Sequence, residues 1–178
     1  MPKLIDRYGV LDKNDTQGNG GWIEYTGDAG AGSGIAAGAK VLLPLTEFRE
    51  FSGTWQRAVG ATGALGVRLS PADDPALIAN DLDKLALIAI EFPAFTDGRG
   101  YSAATLLRER YGYKGELRAV GEVLRDQIFL LSRVGFTTFA LREDQNVENA
   151  LAAFNDFSSY YQHAAGRFLE QRALPLAA

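Results

Sequence analysis

The chain has 178 residues, no cysteine, a single histidine and a net charge of -4. This length suits one domain with a sizeable core, and the negative charge gives no electrostatic reason to expect nucleic-acid binding. The absence of cysteine excludes disulfides, thiolate-held metal clusters and cysteine nucleophiles. One histidine, His163, excludes a multi-histidine metal site. We therefore expect no metal site, and any electron transfer requires a bound cofactor.

Hydropathy indicates a protein that does not associate with membranes. The longest apolar run, residues 85–90, is far shorter than the roughly 20 residues of a membrane-spanning helix. The N-terminus has no hydrophobic stretch of signal-peptide length. We therefore expect a cytoplasmic location, which a chain without cysteine fits.

The first forty residues are polar and rich in glycine. Short strand-like pieces at residues 3–5, 10–11 and 22–25 predict a small antiparallel element ahead of the main fold. Residues 27–34 read as a glycine-rich loop. We therefore divide the chain into an N-terminal strand element with its loop, residues 1–40, and an α/β domain, residues 41–178, within a single folded unit.

From residue 41 onward, strand and helix alternate about five times. Thr46 is the predicted cap of the first helix, and Asp74 and Pro75 open the second, whose buried stripe is Ile78, Leu82 and Leu85. The predicted strands are 41–45, 66–69, 86–92, 117–120 and 136–141, and the predicted helices are 46–59, one from Pro75, 102–111, 123–134 and 147–169.

Such alternation predicts an α/β protein of about five βα units with a parallel sheet. Two closures remain open at this point: an open doubly wound sheet and a partial TIM-like barrel. A complete eight-unit barrel needs about 250 residues, which this chain does not have.

The loop after the third predicted strand is the richest candidate site, because ligands of both folds bind where strands end. Here Glu91, Asp97, Arg99 and Tyr101 lie just before or at a predicted helix start. A helix N-terminus favours anions, and the arginine fork suits an oxyanion. The alternative is that Asp97 and Arg99 pair with each other and the glycines only turn the chain.

Charged residues inside and after the next strand add further candidates. Arg118 lies within a predicted strand, and an ion pair with Glu91 would offset the cost of burying it; this pair is either functional or structural. Residues 121–127 open the fourth helix, where Glu122, Arg125 and Asp126 could reach the site near Arg99. Gln127 in the same stretch is a further candidate. Alternatively, Glu122 is simply a favourable acid in a first helical turn.

The last predicted helix, residues 147–169, carries closely spaced aromatic side chains. These aromatics predict either core packing or a homodimer face. His163 lies on this helix and is expected to have a surface or packing role.

A long central stretch carries a family resemblance. Its motifs are FPAFTDGRGYS at residues 92–102, LLRERYGY at 106–113, GELRAVG at 115–121 and VLRDQ at 123–127. This stretch, about a third of the chain, resembles the bacterial domain-of-unknown-function family 934. The flanks agree only in pattern, and the glycine-rich stretch departs from the shorter link of the family.

The resemblance implies a role in assimilatory sulfate reduction. Members of the family are labelled as oxidoreductases involved in sulfite reduction, because their genes lie beside those of sulfite reductase and the adenylyl-sulfate reductases. The family supplies no mechanism. Its motifs include five of the candidate residues: Asp97, Arg99, Tyr101, Arg118 and Gln127.

Three functions follow as hypotheses. The first is an accessory protein that binds a small oxyanion, an electron donor or sulfite reductase. The second is an oxidoreductase with a bound flavin or nicotinamide, although the chain has no dinucleotide-binding fingerprint. The third is a homodimeric scaffold without catalysis, joined through residues 147–169.

Overall fold

The computed structural model describes residues 3–11, 20–27 and 32–157. Within them, one sheet of eight strands and four α-helices form a mixed α/β structure. The strands are β1 (Lys3–Asp6), β2 (Gly9–Val10), β3 (Trp22–Glu24), β4 (Lys40–Pro44), β5 (Ala64–Leu69), β6 (Leu85–Phe92), β7 (Glu116–Gly121) and β8 (Thr138–Leu141). The helices are α1 (Leu45–Val59), α2 (Arg99–Thr105), α3 (Ile128–Arg133) and α4 (Val147–Ala152).

The sheet is curled like half of a barrel, with strand order β2-β1-β8-β7-β6-β5-β4-β3. Strands β3 to β8 run parallel and lie in sequence order. This confirms the α/β class. A doubly wound sheet would reverse its strand order partway, and the order from β3 to β8 has no such reversal. Of the two predicted closures, the order therefore agrees with the barrel segment.

The predicted N-terminal antiparallel element is only loosely right, and the sheet is not purely parallel. Strands β1 and β2 form an antiparallel hairpin, and β1 continues the sheet by pairing antiparallel with β8. Strand β3 lies apart from this hairpin, at the opposite edge of the sheet, where it pairs parallel with β4. Two or three short strands have too little apolar surface to be stable alone, so they join the edges of the large sheet.

Alternating side chains give the sheet two faces. On the helix-covered face, Ile88 and Ile90 of β6 join the large core with residues of all four helices. On the opposite face, which we call the inner face, Leu87 and Ala89 pack with Trp22 and Leu42 in a smaller cluster. Because both faces are covered, the central strand reads as a continuous apolar run, as the sequence predicts.

Of two predicted helix caps, the first is wrong and the second is correct. Helix α1 begins at Leu45, directly after Pro44, so Thr46 is not its cap. Asp74 does cap the next segment, since its Oδ1 accepts from the backbone N–H of Ala76 at 2.9 Å. That segment, however, consists of two 3-10 turns, Pro75–Ile78 and Leu82–Lys84, so the predicted helical stripe is wrong.

The later helices are less regular than predicted, and α3 and α4 are shorter. Helix α2 begins at Arg99 and continues as one π-helical turn, Leu106–Arg110. A 3-10 turn, Arg125–Gln127, precedes α3, and another, Ala153–Asn155, follows α4. Residues 158–169 of the predicted last helix, with His163, lie outside the described residues. The homodimer face therefore stays a prediction.

Candidate functional site

Parallel strands end together along one edge of the sheet, which we call the C-terminal edge. It comprises the ends of β3 to β8 and the residues that follow them. Helices α1, α2, α3 and α4 all begin on this side. The charged side chains along this edge include Glu24, Arg68, Glu91, Asp97, Arg99, Glu122, Arg125, Arg142 and Asp144.

Arg68 of β5 is bound between the carboxylates of Glu24 on β3 and Glu91 on β6. Its Nη1 lies 3.0 Å from Glu24 Oε2, and its Nη2 lies 3.1 Å from Glu91 Oε1. The side chains of Arg68 and Glu91 are about one-third exposed, at 34% and 32%. The predicted pair of Glu91 with Arg118 is wrong, because Ala89 is the residue of β6 that lies opposite Arg118 in register.

A cavity of about 420 Å³ opens beside Arg68. Its walls include the carboxylates of Glu24, Glu91 and Asp73 and the single guanidinium of Arg68. Three acids against one base leave a local negative charge. By Coulomb's law this cavity disfavours an oxyanion and favours a cationic group.

Arg99 and Asp97 form a bidentate pair with each other. Arg99 Nε donates to Asp97 Oδ1 at 3.0 Å, and Arg99 Nη2 donates to Asp97 Oδ2 at 2.6 Å. The side-chain hydrogen bonds from Arg99 lower the pKa of the Asp97 carboxyl, and the same bonds raise the pKa of Arg99. Of the two readings of this loop, the mutual pair is therefore the one present. An oxyanion would have to compete with Asp97 for the fork.

Tyr101 and Gly100 serve the packing of α2 against β6. The Tyr101 ring meets the Phe92 ring edge to face, with centroids 5.7 Å apart. Burial raises the pKa of the Tyr101 hydroxyl. A Cβ at Gly100 would lie 2.5 Å from the Phe92 ring. The glycine therefore allows the helix to approach the strand closely.

Arg142, a residue that sequence reasoning missed, connects the ends of β7 and β8. Its Nη1 donates to Glu122 at 2.8 Å, and its Nη2 donates to Asp144 at 2.6 Å. Hydrogen bonds from Arg142 hold the pKa of Asp144 well below its usual range, and bonds to Asp144 and Glu122 raise the pKa of Arg142. Sequence reasoning could have identified Arg142 as a site residue, because it directly follows the fifth predicted strand.

Arg125 is held in the same way. Both of its terminal nitrogens donate to Asp156, at 2.7 and 2.6 Å. The pKa of Arg125 is raised, chiefly by these hydrogen bonds. The neighbouring Asp126 is a weaker partner at 3.4 Å. Four arginines along the edge are thus each paired with at least one carboxylate: Arg68, Arg99, Arg125 and Arg142.

Gln127 is buried and has a structural environment. Its Oε1 accepts from the Leu124 N–H at 2.9 Å, and its Nε2 donates to the Phe95 carbonyl at 3.5 Å. The side chain therefore ties the start of a 3-10 turn to the loop that precedes α2.

Arg118 is buried on the inner face and lies away from the edge. Its Nε and Nη2 donate to Glu116 Oε1 at 3.0 and 2.7 Å, and Thr138 Oγ1 donates to the same oxygen at 2.7 Å. Gly20, which precedes β3, lies against the guanidinium: a Cβ there would be 3.3 Å from Nη2. The seven predicted site residues therefore separate: the edge holds Glu91, Asp97, Arg99 and Glu122, while the interior holds Arg118, Gln127 and part of Tyr101.

Two further findings concern the described ranges 3–11, 20–27 and 32–157. Their aspartate and glutamate side chains form no group of three that could hold a metal ion. None of their helices combines the length and the apolar character that a membrane crossing requires.

The fold and edge define a class: a mixed α/β half-barrel with a row of arginine–carboxylate pairs where its parallel strands end. A family model described as "Bacterial protein of unknown function (DUF934)" matches residues 66–169. This match covers more than half of the chain, and the chain belongs to that family. Neither the curated proteins nor the solved structures contain a match to the chain.

Proposed function

We propose that the protein is an accessory factor of assimilatory sulfite reduction that docks a protein partner through its C-terminal edge. The partner class is sulfite reductase or its electron donor. The sulfite-reduction context comes from the family resemblance. The observation that carries the docking role is the row of exposed arginine–carboxylate pairs along this edge.

Such pairs contribute little to the stability of the chain itself. The side chains of Arg99 and Arg142 are 63% and 39% exposed, and solvent screens the attraction within exposed pairs. Exchanging an internal partner for one on a docking protein therefore costs little. Complementary charges would also speed and orient a transient encounter, and electron-transfer complexes have small interfaces of this type.

The same geometry favours a protein over a free oxyanion. A small oxyanion would have to displace Asp97 from a bidentate contact with Arg99 and would meet net negative charge at Arg68. A protein surface carries both signs, so its acids and bases can pair with the arginines and the carboxylates at once.

Capture experiments test the docking role. The protein is immobilised, and binding of purified sulfite reductase and of its electron-donor subunit is measured at low and high salt. We expect salt-sensitive binding that Arg99→Gln together with Arg142→Gln weakens at least about tenfold. Arg49→Gln, an exposed arginine in α1, is the matched control. Equal binding by all three chains, with melting temperatures unchanged, would exclude the edge as the docking surface.

Growth tests the pathway. A strain lacking the gene is compared on sulfate, sulfite and cysteine as sulfur sources. We expect poor growth on sulfate and sulfite, rescued by the unaltered gene and less by the double variant. Equal growth on all three sources would refute a necessary role in sulfite reduction.

A further inference from the structure

A second cavity lies at the opposite edge of the sheet, below the starts of β7 and β8. It measures about 560 Å³, within the range of about 300–1,000 Å³ that is common for small-molecule sites. We call it the basal cavity and define it by Arg7, Tyr8, Lys114, Ser132, Phe139 and Phe154. Nothing in the proposed docking role uses this cavity.

Part of the wall of the basal cavity is aromatic and is held by ordered elements. Phe139 and Phe154 meet edge to face, with centroids 5.4 Å apart. Tyr8 belongs to the tip of the β1–β2 hairpin. Asp6 Oδ1 fixes that tip by accepting from the N–H groups of Tyr8 and Gly9, at 2.7 and 3.0 Å. A flat apolar body would find complementary surface here.

Two cations at this cavity are available to a ligand. Arg7 and Lys114 are exposed, and within the described residues neither has an ion-pair partner. The wall also holds two carboxylates. The charge of Glu116 is compensated by Arg118, whereas Asp6 keeps its charge while its Oδ1 holds the hairpin tip. Arg7, Lys114 and the buried Arg108 outnumber Asp6, so the net charge of the wall is positive.

A third cation lies deeper in the wall. Arg108 is only 3% exposed, and it donates to the carbonyls of Gly135, Tyr113 and Gly115 at 2.7 to 3.0 Å. Burial lowers the pKa of Arg108 to about 10, so the guanidinium keeps its charge at neutral pH. Its positive potential adds to that of Arg7 and Lys114, because a charge is screened less in a buried environment than in water.

We propose that the basal cavity binds a small anion with a flat apolar body, with Arg7 and Lys114 holding the anionic group and the aromatic walls holding the body. The anionic group is a phosphate monoester or a carboxylate, since an arginine fork and an ammonium recognise both. This inference goes beyond the proposed function, because it concerns a separate ligand at the other edge of the sheet.

Calorimetric titration of the full chain tests this assignment with three matched probes. 1-Naphthyl phosphate and 1-naphthoate carry the two candidate anionic groups on the same ring, and 1-naphthol carries none. We expect at least one anion to bind at least tenfold more tightly than the neutral probe. The stronger of the two anions identifies the preferred group.

Variants separate the charge from the cavity. Arg7→Gln with Lys114→Gln should lower the affinity for the anionic probe at least tenfold and leave the affinity for 1-naphthol unchanged. The exposed control Arg49→Gln should change neither affinity. Ser132→Trp, which narrows the cavity from α3 without altering charge, should weaken all probes. Absence of binding, equal affinity for 1-naphthol, or an unaffected double charge variant overturns the proposal. Circular dichroism of each variant confirms that the fold is retained.

Discussion

Arg108 is a buried arginine whose guanidinium joins two loops. It donates to carbonyls on both sides of Lys114 and to the carbonyl of Gly135. Without Arg108 these carbonyls lose this donor, and those of Tyr113 and Gly135 lose it in a buried environment. The residue lies in the π-helical turn that continues α2, so this irregular turn places the guanidinium between the loops.

Replacing Arg108 by methionine should destabilise the fold strongly. We expect a loss of about 3 kcal/mol in the free energy of unfolding, because a charged donor is removed from several buried acceptors. Urea unfolding at neutral pH measures this loss in the free energy of unfolding. Arg110→Met is the control, since Arg110 is exposed in the same turn and should change stability by less than about 0.5 kcal/mol. Equal losses in the two variants would contradict the joining role.

Tyr113 makes the stability of the folded chain depend on pH in the alkaline range. Its hydroxyl lies 3.2 Å from the carbonyl oxygens of Leu85 and Glu116, and burial raises its pKa above the ordinary value of 10.0. Above this ordinary value the unfolded chain releases the proton that the folded chain keeps. Because the folded state then binds more protons, the stability from Tyr113 falls as pH rises.

Tyr113→Phe should therefore cost about 1 kcal/mol at neutral pH, and its difference from the unaltered chain should shrink as pH rises above about 10. Urea midpoints of both chains across this range provide the measurement. Arg108 is present in both chains, so its own titration largely cancels in the difference. A difference that stays constant with pH would contradict a buried, neutral phenol.

Single charged residues were predicted well where their partners are close in sequence. The Asp97–Arg99 pair was one of two alternatives, because the residues are two positions apart. Glu91 was identified, but its partner was wrong. Arg68 lies on the neighbouring strand β5, and such a partner depends on strand order and register, which local sequence patterns do not specify.

The contact between α2 and β6 depends on one glycine. Gly100 lies in the first turn of α2, and a Cβ there would lie 2.5 and 2.7 Å from atoms of the Phe92 ring. Nearby Gly98 faces open space and has an ordinary φ of −86°. The two glycines thus have different tasks within one loop.

Gly100→Ala should therefore destabilise the chain by about 1–3 kcal/mol, the usual cost of overpacking. Gly98→Ala should change stability by less than about 0.5 kcal/mol, since its added methyl group meets no atom. Thermal unfolding of both variants measures this contrast. If Gly100→Ala has the same melting temperature as the unaltered chain, the close approach of helix and strand is wrong.

At the scale of elements, strands were easier to predict than helices. Strand β6 is apolar on both faces, and its run of residues predicted it almost to the residue. The segment after Pro75 was predicted as one helix. Its cap at Asp74 is correct, but the turn ends at Ile78, and Leu85 already belongs to β6. Apolar spacing alone does not distinguish one helix from two tight turns that bury the same side chains.

The whole molecule depends on contacts that no local pattern reveals. Both edges of the sheet come from the first forty residues, with the β1–β2 hairpin beside β8 and β3 beside β4. The alternation of elements from residue 41 predicted parallel strands. It left the strand order open, because crossover helices of either arrangement have the same sequence period.

This architecture places the two proposed binding surfaces at opposite ends of the parallel strands. Arg99 and Arg142 follow strands β6 and β8, whereas Lys114 precedes β7 and Arg7 lies at the hairpin tip beside the start of β8. A strand of six residues is roughly 20 Å long. Sites separated by more than about 7–10 Å without shared partners usually act independently.

A four-site variant tests this separation. Arg7→Gln, Lys114→Gln, Arg99→Gln and Arg142→Gln are combined, and 1-naphthyl phosphate titration and sulfite reductase capture are measured for the combined chain and for each pair. We expect each loss in affinity to equal that of the corresponding pair alone, because the two surfaces lie far apart and share no residue. A change of more than threefold in phosphate affinity from the C-terminal edge pair alone would show that the ends are coupled. The half-barrel would then transmit ligand occupancy from one edge to the docking surface on the other.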